Sequence, residues 1–271
     1  MPHATVNGIQ LYYEEEGAGF PVVFIPGFTE TCAMWSFQRA PFAQRYRFIA
    51  YDLRGHGRSS APDDSAAYSP DIFVEDTKGL LDALGIERAH VVGHSLGGAV
   101  ALRFALAHPD RIDCLVVVNS NSGAAPDEWR EQVEPRMHGM AETLRRKGVM
   151  ALADGMINRR LPPAELEARR REFAALSPAG IAHTATQVLP YISSLEKAER
   201  ISCPTLLVVG ERDRDFVVRS DWLMERMPNC RKVVLAGAGH AANEHAPEAF
   251  NEAVLAFLAE REPWRPGDAG A

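Results

Sequence analysis

The sequence predicts an α/β protein: a mostly parallel sheet flanked by helices, interrupted by an all-helical insert. Three observations carry this. Short apolar, β-type runs alternate with helical stretches over 1–122 and again over 201–271. The run at 112–119 holds Leu115, Val116, Val117 and Val118 in unbroken succession, as in a parallel strand covered on both faces. Between 123 and 200 no stretch has strand character. The expected organisation is therefore a core domain made of 1–122 and 201–271, with 123–200 inserted as a helical cap.

Residues 4–6 and 9–15 read as two strands around Asn7-Gly8, a hairpin turn pair. Pro21–Ile25 is a short apolar strand stopped by Pro26-Gly27, followed by a helix over 34–44 and a strand over 46–51. Ser69-Pro70 opens the next helix, since serine caps and proline fits the first turn; Gly85 ends it after Leu84. A strand at 89–92 leads to a helix over Leu96–Ala107, small and apolar on nearly every side and so expected to be buried. In the insert, helices are expected over 127–147, 148–158, 163–176 and 178–193, punctuated by Pro162-Pro163 and Pro178. Strands return at 205–209 and 232–235, and 246–260 is the last helix.

Composition limits what the chain can do. Its 271 residues, 46% hydrophobic and 24% charged, fit a globular enzyme-sized unit. The net charge of −7 gives no basic surface for phosphates, so no nucleic-acid partner is expected. The insert alone balances twelve Lys/Arg against eleven Asp/Glu. Cys32, Cys114, Cys203 and Cys230 are far apart and form no C-x-x-C pair, so they read as reduced thiols rather than a disulfide frame or metal site. No basic start precedes an apolar run at the N-terminus and no apolar stretch approaches membrane-spanning length. A cytoplasmic protein acting on a small-molecule substrate, with no membrane partner, is expected; the oligomeric state is left open.

Ligands in such sheets bind beyond the carboxyl ends of the strands. There, Gly93-His94-Ser95-Leu96-Gly97 lies between a strand and a helix, the context of a G-x-S-x-G nucleophile elbow. Side chains at Gly93 and Gly97 would collide with the neighbouring strand and helix, so glycine lets Ser95 project above the sheet. His240, after the strand at 232–235, is the expected general base, with His245 as its rival. Asp213, after the strand at 205–209, is the expected partner of the imidazole Nδ1, with Asp215 as its rival. Asn119, Ser120 and Asn121, at the other location open to the acid, carry no carboxylate. The backbone N–H groups of Leu96 and Phe28 are the expected oxyanion donors.

The segments FIPGF, YDLRGHGRSS, VVGHSLGG, VVGERD and GAGH, in this order, resemble the α/β-hydrolase superfamily in its serine-nucleophile branch across nearly the whole chain. The resemblance implies eight strands, the chain order Ser95, Asp213, His240 for the triad, and a cap over Ser95. It also implies a structural role for the Asp52–Ser59 segment, with Asp52 and Arg54 tying a glycine-rich loop and His56 structural. Many members carry His-Gly where this chain has Pro26-Gly27, but the donor there is the backbone of the next residue.

Trp35, Met137, Met140, Met150, Met156, Leu189 and Tyr191 are candidate pocket-lining residues, although such side chains fill helix interfaces equally well. Gly237-Ala238-Gly239-His240-Ala241-Ala242 imitates a dinucleotide fingerprint but has no βαβ unit after it. No P-loop or H-E-x-x-H motif is present, and Arg169-Arg170-Arg171 reads as the solvated face of a cap helix. No cofactor and no metal are expected. The layout resembles small esterases and enol-lactonases, so cleavage of a small carboxylic ester or lactone through an acyl-enzyme is the leading expectation. A carbon–carbon bond hydrolase of β-diketone type, a haloperoxidase-like side activity and a ligand sensor on a hydrolase scaffold remain as alternatives. Dehalogenases and epoxide hydrolases of this superfamily carry Asp where this chain has Ser95.

Overall fold

The computed structural model describes residues 2–120, 126–156, 163–193 and 195–260. Eight strands form one sheet: β1 (His3–Val6), β2 (Ile9–Glu16), β3 (Pro21–Ile25), β4 (Arg47–Tyr51), β5 (Ala89–His94), β6 (Ile112–Val118), β7 (Thr205–Gly210) and β8 (Cys230–Leu235). Their order is β1-β2-β4-β3-β5-β6-β7-β8. The first two joins are antiparallel and every later one is parallel. The β1–β2 hairpin turns at Asn7 and Gly8, both at positive φ. β3, β5, β6 and β7 are buried along nearly their whole length, which explains their mostly apolar sequences.

From β3 the chain passes to β4 on one side and then to β5 on the other. The loops leaving β3 and β5 therefore diverge, and a crevice opens between them at the carboxyl ends of the strands. That crevice receives both Phe28 and Ser95.

Helices cover both faces. α1 (Ser36–Ala43) lies on one face, α2 (Pro70–Ala83) and α3 (Leu96–Ala107) on the other. Ser69 caps α2 by accepting the Ile72 N–H, with Pro70 in the first turn, as the sequence predicts. α3 is buried on most sides, again as predicted.

Between β6 and β7 every described element is helical: α4 (Pro126–Lys147), α5 (Met150–Met156), α6 (Pro163–Ala174) and α7 (Pro178–His183). They enclose a core of their own, with Leu144, Leu152, Phe173 and Ile181 among its members. Phe28 packs against both this core and the main one. The expected helix over 178–193 is interrupted: after α7 the chain widens into a π-turn at Thr184–Val188 and tightens into a 3₁₀ turn at Leu189–Tyr191. Pro190 explains the break, since it has no N–H to continue the ladder.

The C-terminal part holds α8 (Arg214–Arg226), α9 (Ala242–His245) and α10 (Pro247–Ala259). α8 was not anticipated from the sequence. α10 lies on the α1 face, where Phe250, Val254 and Phe257 join Phe24, Trp35 and Phe42. Trp35 is fully buried there, its ring centroid 5.1 Å from that of Phe24 and 6.2 Å from that of Phe250. It is therefore a core residue, and the expectation that it lines a pocket is corrected. The four cysteines are free thiols, Cys32 and Cys114 buried and Cys203 and Cys230 half-buried. No described helix is long and apolar enough to cross a membrane.

Candidate active site

Ser95 joins β5 to α3 with φ of 49° and ψ of −113°, a conformation that non-glycine residues rarely adopt. Neighbours hold it there. Its N–H donates to the Val118 carbonyl at 2.9 Å, and its own carbonyl accepts from the Ser120 hydroxyl at 2.8 Å. The glycines around it are required by space. A Cβ on Gly93 would run into the Gly97 carbonyl, and one on Gly97 would run into the carbonyls of Ile25 and Pro26. The turn is thus pressed between strand and helix, and Ser95 Oγ is left at the crevice.

The structure brings the three predicted side chains together. Ser95 Oγ and His240 Nε2 are 3.1 Å apart, and His240 Nδ1 and Asp213 Oδ2 are 2.7 Å apart. With the Nδ1–H donating to Asp213, Nε2 offers a lone pair to the Ser95 hydroxyl. Asp213 sits at the start of α8, and the Phe216 ring of the first turn packs on His240 at a centroid distance of 4.9 Å. Asp213 Oδ2 also accepts from Asn119 Nδ2 at 2.8 Å, while Asn119 Oδ1 accepts the Gly210 N–H at 3.3 Å. Burial pushes the Asp213 carboxyl up, but the hydrogen bond and charge of His240, with the Asn119 bond, hold it below the usual carboxylate range. Asp215 lies in the first turn of α8 rather than in a loop, and it is exposed. His245 accepts the Gly239 N–H at 3.0 Å on Nδ1.

Phe28 N–H and Leu96 N–H come from the loop after β3 and the first residue of α3. Among the described residues neither donates to an acceptor within the chain. The Phe28 loop is braced by Glu30, whose Oε2 accepts the Gly27 N–H at 2.8 Å.

Several expectations around the site change. Asp52 does tie its loop, accepting the N–H groups of Cys32 at 2.7 Å and Arg58 at 2.8 Å. Arg54 does not join it: the guanidinium makes a buried two-pronged pair with Asp76 of α2, at 2.8 and 2.7 Å. His56 is fully buried with Nδ1 against the Arg54 carbonyl at 3.0 Å. Arg169 is not on a solvated face. It pairs with Glu172 and with Glu244, joining α6 to α9.

Of the cap candidates, Met140 and Met150 are half-buried against the cap core, and Leu189 packs on the main core. Met137 is half-buried on α4. Tyr191 faces outward, with its hydroxyl donating to Glu134 Oε1 at 3.1 Å. The Met156 side chain lies outside the described residues.

Sequence reading did not mark Asn119, Phe216, Glu30 or His94 as site residues. It also did not foresee that His90, Asp113 and Cys114 cluster, with donor atoms within 4.8 Å of one another. That group is at the opposite end of β5 from Ser95. Arg88 already pairs with Asp113 at 3.3 Å, His90 Nδ1 lies 3.3 Å from Asp113 Oδ2 within the cluster itself, and His90 Nε2 has no hydrogen-bond partner. It therefore lacks the outer partner that fixes a metal-bound imidazole.

A strained serine after the fifth strand of an eight-stranded, mostly parallel sheet, beside a histidine–carboxylate pair, defines the α/β-hydrolase class. The chain belongs to the alpha/beta hydrolase fold family, whose sequence pattern matches residues 21–153. It is 34% identical to the putative carbamate hydrolase RutD of Caulobacter sp. (strain K31), over 95% of this chain and 98% of that protein. It is 32% identical to the 2-hydroxymuconate semialdehyde hydrolase of Pseudomonas sp. (strain CF600), over 93% of this chain and 92% of that one. Among solved structures, the enol-lactonase of Burkholderia xenovorans LB400 superposes with a TM-score of 0.84 at 28% identity, covering 95% of this chain and all of that one. The protein is a hydrolase.

Proposed function

We propose that the protein is a serine hydrolase that cleaves a small carboxylic ester or lactone through an acyl-enzyme. The observation that carries this is the relay itself: Asp213 Oδ2, His240 Nδ1 and Nε2, and Ser95 Oγ joined at 2.7 and 3.1 Å. His240 takes the Ser95 proton as Oγ attacks the carbonyl carbon. The carbonyl oxygen becomes an oxyanion facing the N–H groups of Phe28 and Leu96. The intermediate collapses, the bond to the leaving oxygen breaks, and His240 hands its proton to that alkoxide. His240 then deprotonates a water that attacks the acyl carbon; the bond to Ser95 Oγ breaks, Oγ takes the proton back from His240, and the acid is released. The helices α4 to α7 serve as the cap that closes the crevice, with Phe28 packed against both their core and the main one.

A second reading has a specific support in the relatives named above. Carbamates and carbon–carbon bonds next to a carbonyl are cleaved by the same nucleophile, base and oxyanion donors. A panel of p-nitrophenyl esters, lactones, alkyl carbamates and β-diketones separates them. Multiple turnover is expected with short esters or lactones, at about 1–10³ s⁻¹ on a good substrate. A preference above ~100-fold for a β-diketone or carbamate, about 2.7 kcal/mol of differential transition-state binding, assigns the other bond instead. Ser95→Ala should abolish turnover with circular dichroism unchanged. Retained turnover overturns the serine mechanism.

A further inference from the structure

The relay does not use the residue just before the nucleophile, His94. Its side chain is 1% exposed, yet both ring nitrogens face oxygen acceptors. Nδ1 lies 2.8 Å from Glu30 Oε2, and Nε2 lies 2.9 Å from the His240 carbonyl. A neutral imidazole has one N–H and would turn its other lone pair on an acceptor. An imidazolium satisfies both contacts. Glu30 Oε2 carries a second bond, from the Gly27 N–H, one residue before the Phe28 donor. One cation and one carboxylate thus connect the loop after β3, the elbow after β5 and the loop holding His240.

The charges around His94 come from four elements. Glu30 is in direct contact, and the His240 ring lies edge-on at 4.9 Å. Glu244 of α9 acts from further away and is itself paired with Arg169 of α6. Asp213 feels the His94 charge from behind His240. Burial pushes the imidazole down, but the Glu30 charge and hydrogen bond, with the His240 carbonyl, raise it above its ordinary value. Burial pushes Glu30 up, and the charge and bond of His94 hold it below its ordinary value. Both directions favour the ionised pair that the contacts require.

We propose that His94 is a positioning residue, an imidazolium paired with Glu30 that holds the oxyanion loop and the His240 loop in register with Ser95. This rests on the serine-hydrolase reading. The pair touches no reacting atom, so it acts through placement, where a shift of about 1 Å can cost ~10²-fold in rate.

The test has two independent arms. In the first, ¹⁵N NMR of histidine-labelled wild type reads the protonation of His94. Both nitrogens should be protonated at pH 7, and a neutral tautomer there overturns the proposal whatever the activity. In the second, His94→Gln and Glu30→Gln should each lower kcat on an activated ester by ~10- to 10²-fold with KM nearly unchanged. The double variant should lose no more than the worse single one. Additive losses, or a change confined to KM, overturn it. If His94→Gln does not fold, Glu30→Gln and the spectrum still decide. The serine reading is checked separately by fluorophosphonate labelling of Ser95. Failure to label overturns that reading, while the NMR arm judges the pair by itself.

Discussion

Asp213 and Asp215 are two residues apart, and the start of α8 decides which one can serve His240. Asp213 precedes the helix and turns its carboxylate back toward the imidazole. Asp215 is already in the first turn, exposed, where an acid gains about 0.3–1 kcal/mol from the helix dipole. Asp213→Asn should therefore cut kcat by up to ~10⁴, because an amide at that point favours the wrong tautomer of His240. Asp215→Asn should leave kcat within about twofold of wild type and lower stability only slightly. Kinetics on one ester, with urea unfolding of both variants, checks this; reversed effects would reassign the acid. That Ser95, Asp213 and His240 meet could be read from the sequence because each follows a strand in a recognisable local pattern. Asn119 and Glu30 could not. Their partners are 94 and 64 positions away, and a lone amide or carboxylate carries no local signal of such a contact.

Among the elements, the strands were legible because a parallel strand buried on both faces writes itself as an apolar run. α8 was not, because only Ser220 and Leu223 of its thirteen residues are buried, leaving a thin stripe among charges. The role of α6 was hidden for a related reason. Arg169 stands in an arginine run that reads as solvated, and its partner Glu244 is on another element. That pair is partly buried, with 28% of the Arg169 side chain and 16% of the Glu244 side chain exposed. Burial lifts the Glu244 carboxyl and Arg169 opposes this, so removing Arg169 leaves a carboxylate without its compensating charge. Arg169→Met should cost about 1–3 kcal/mol, less than the ~3–5 of a fully buried pair because the guanidinium keeps some solvent. If α6 belongs to a cap over the site, as proposed, the substitution should also raise KM more than it lowers kcat, since α6 loses its tie to α9. Adding Glu244→Gln should restore part of the stability. A double-mutant cycle with strictly additive losses would show that the pair is not a tie.

The molecule as a whole carries two buried histidines that resist protonation. His56 and His90 have no exposed surface, and burial lowers both to about 4, against ~6.5 in an unfolded chain. Below pH ~6.5 the unfolded chain therefore takes up two protons that the native state refuses, and stability falls with pH. The His94–Glu30 pair runs the other way on its alkaline side. Its raised imidazole adds stability that is complete below ~6.5 and lost as pH rises through the native value. Its depressed carboxyl holds that contribution until pH falls below ~4.3 and through the native value of Glu30. Stability should thus peak near pH 6.5. From pH 6.5 to 5.0, above the range where Glu30 and Asp213 begin to protonate, each buried histidine should remove about 1.5 kcal/mol. Urea unfolding at the two pH values measures the drop. His90→Leu has no imidazole to protonate, so its own drop should be smaller than that of wild type by about 1.5 kcal/mol, whatever its absolute stability. An unchanged drop in His90→Leu and in His56→Asn would mean that neither histidine stays neutral in the native state.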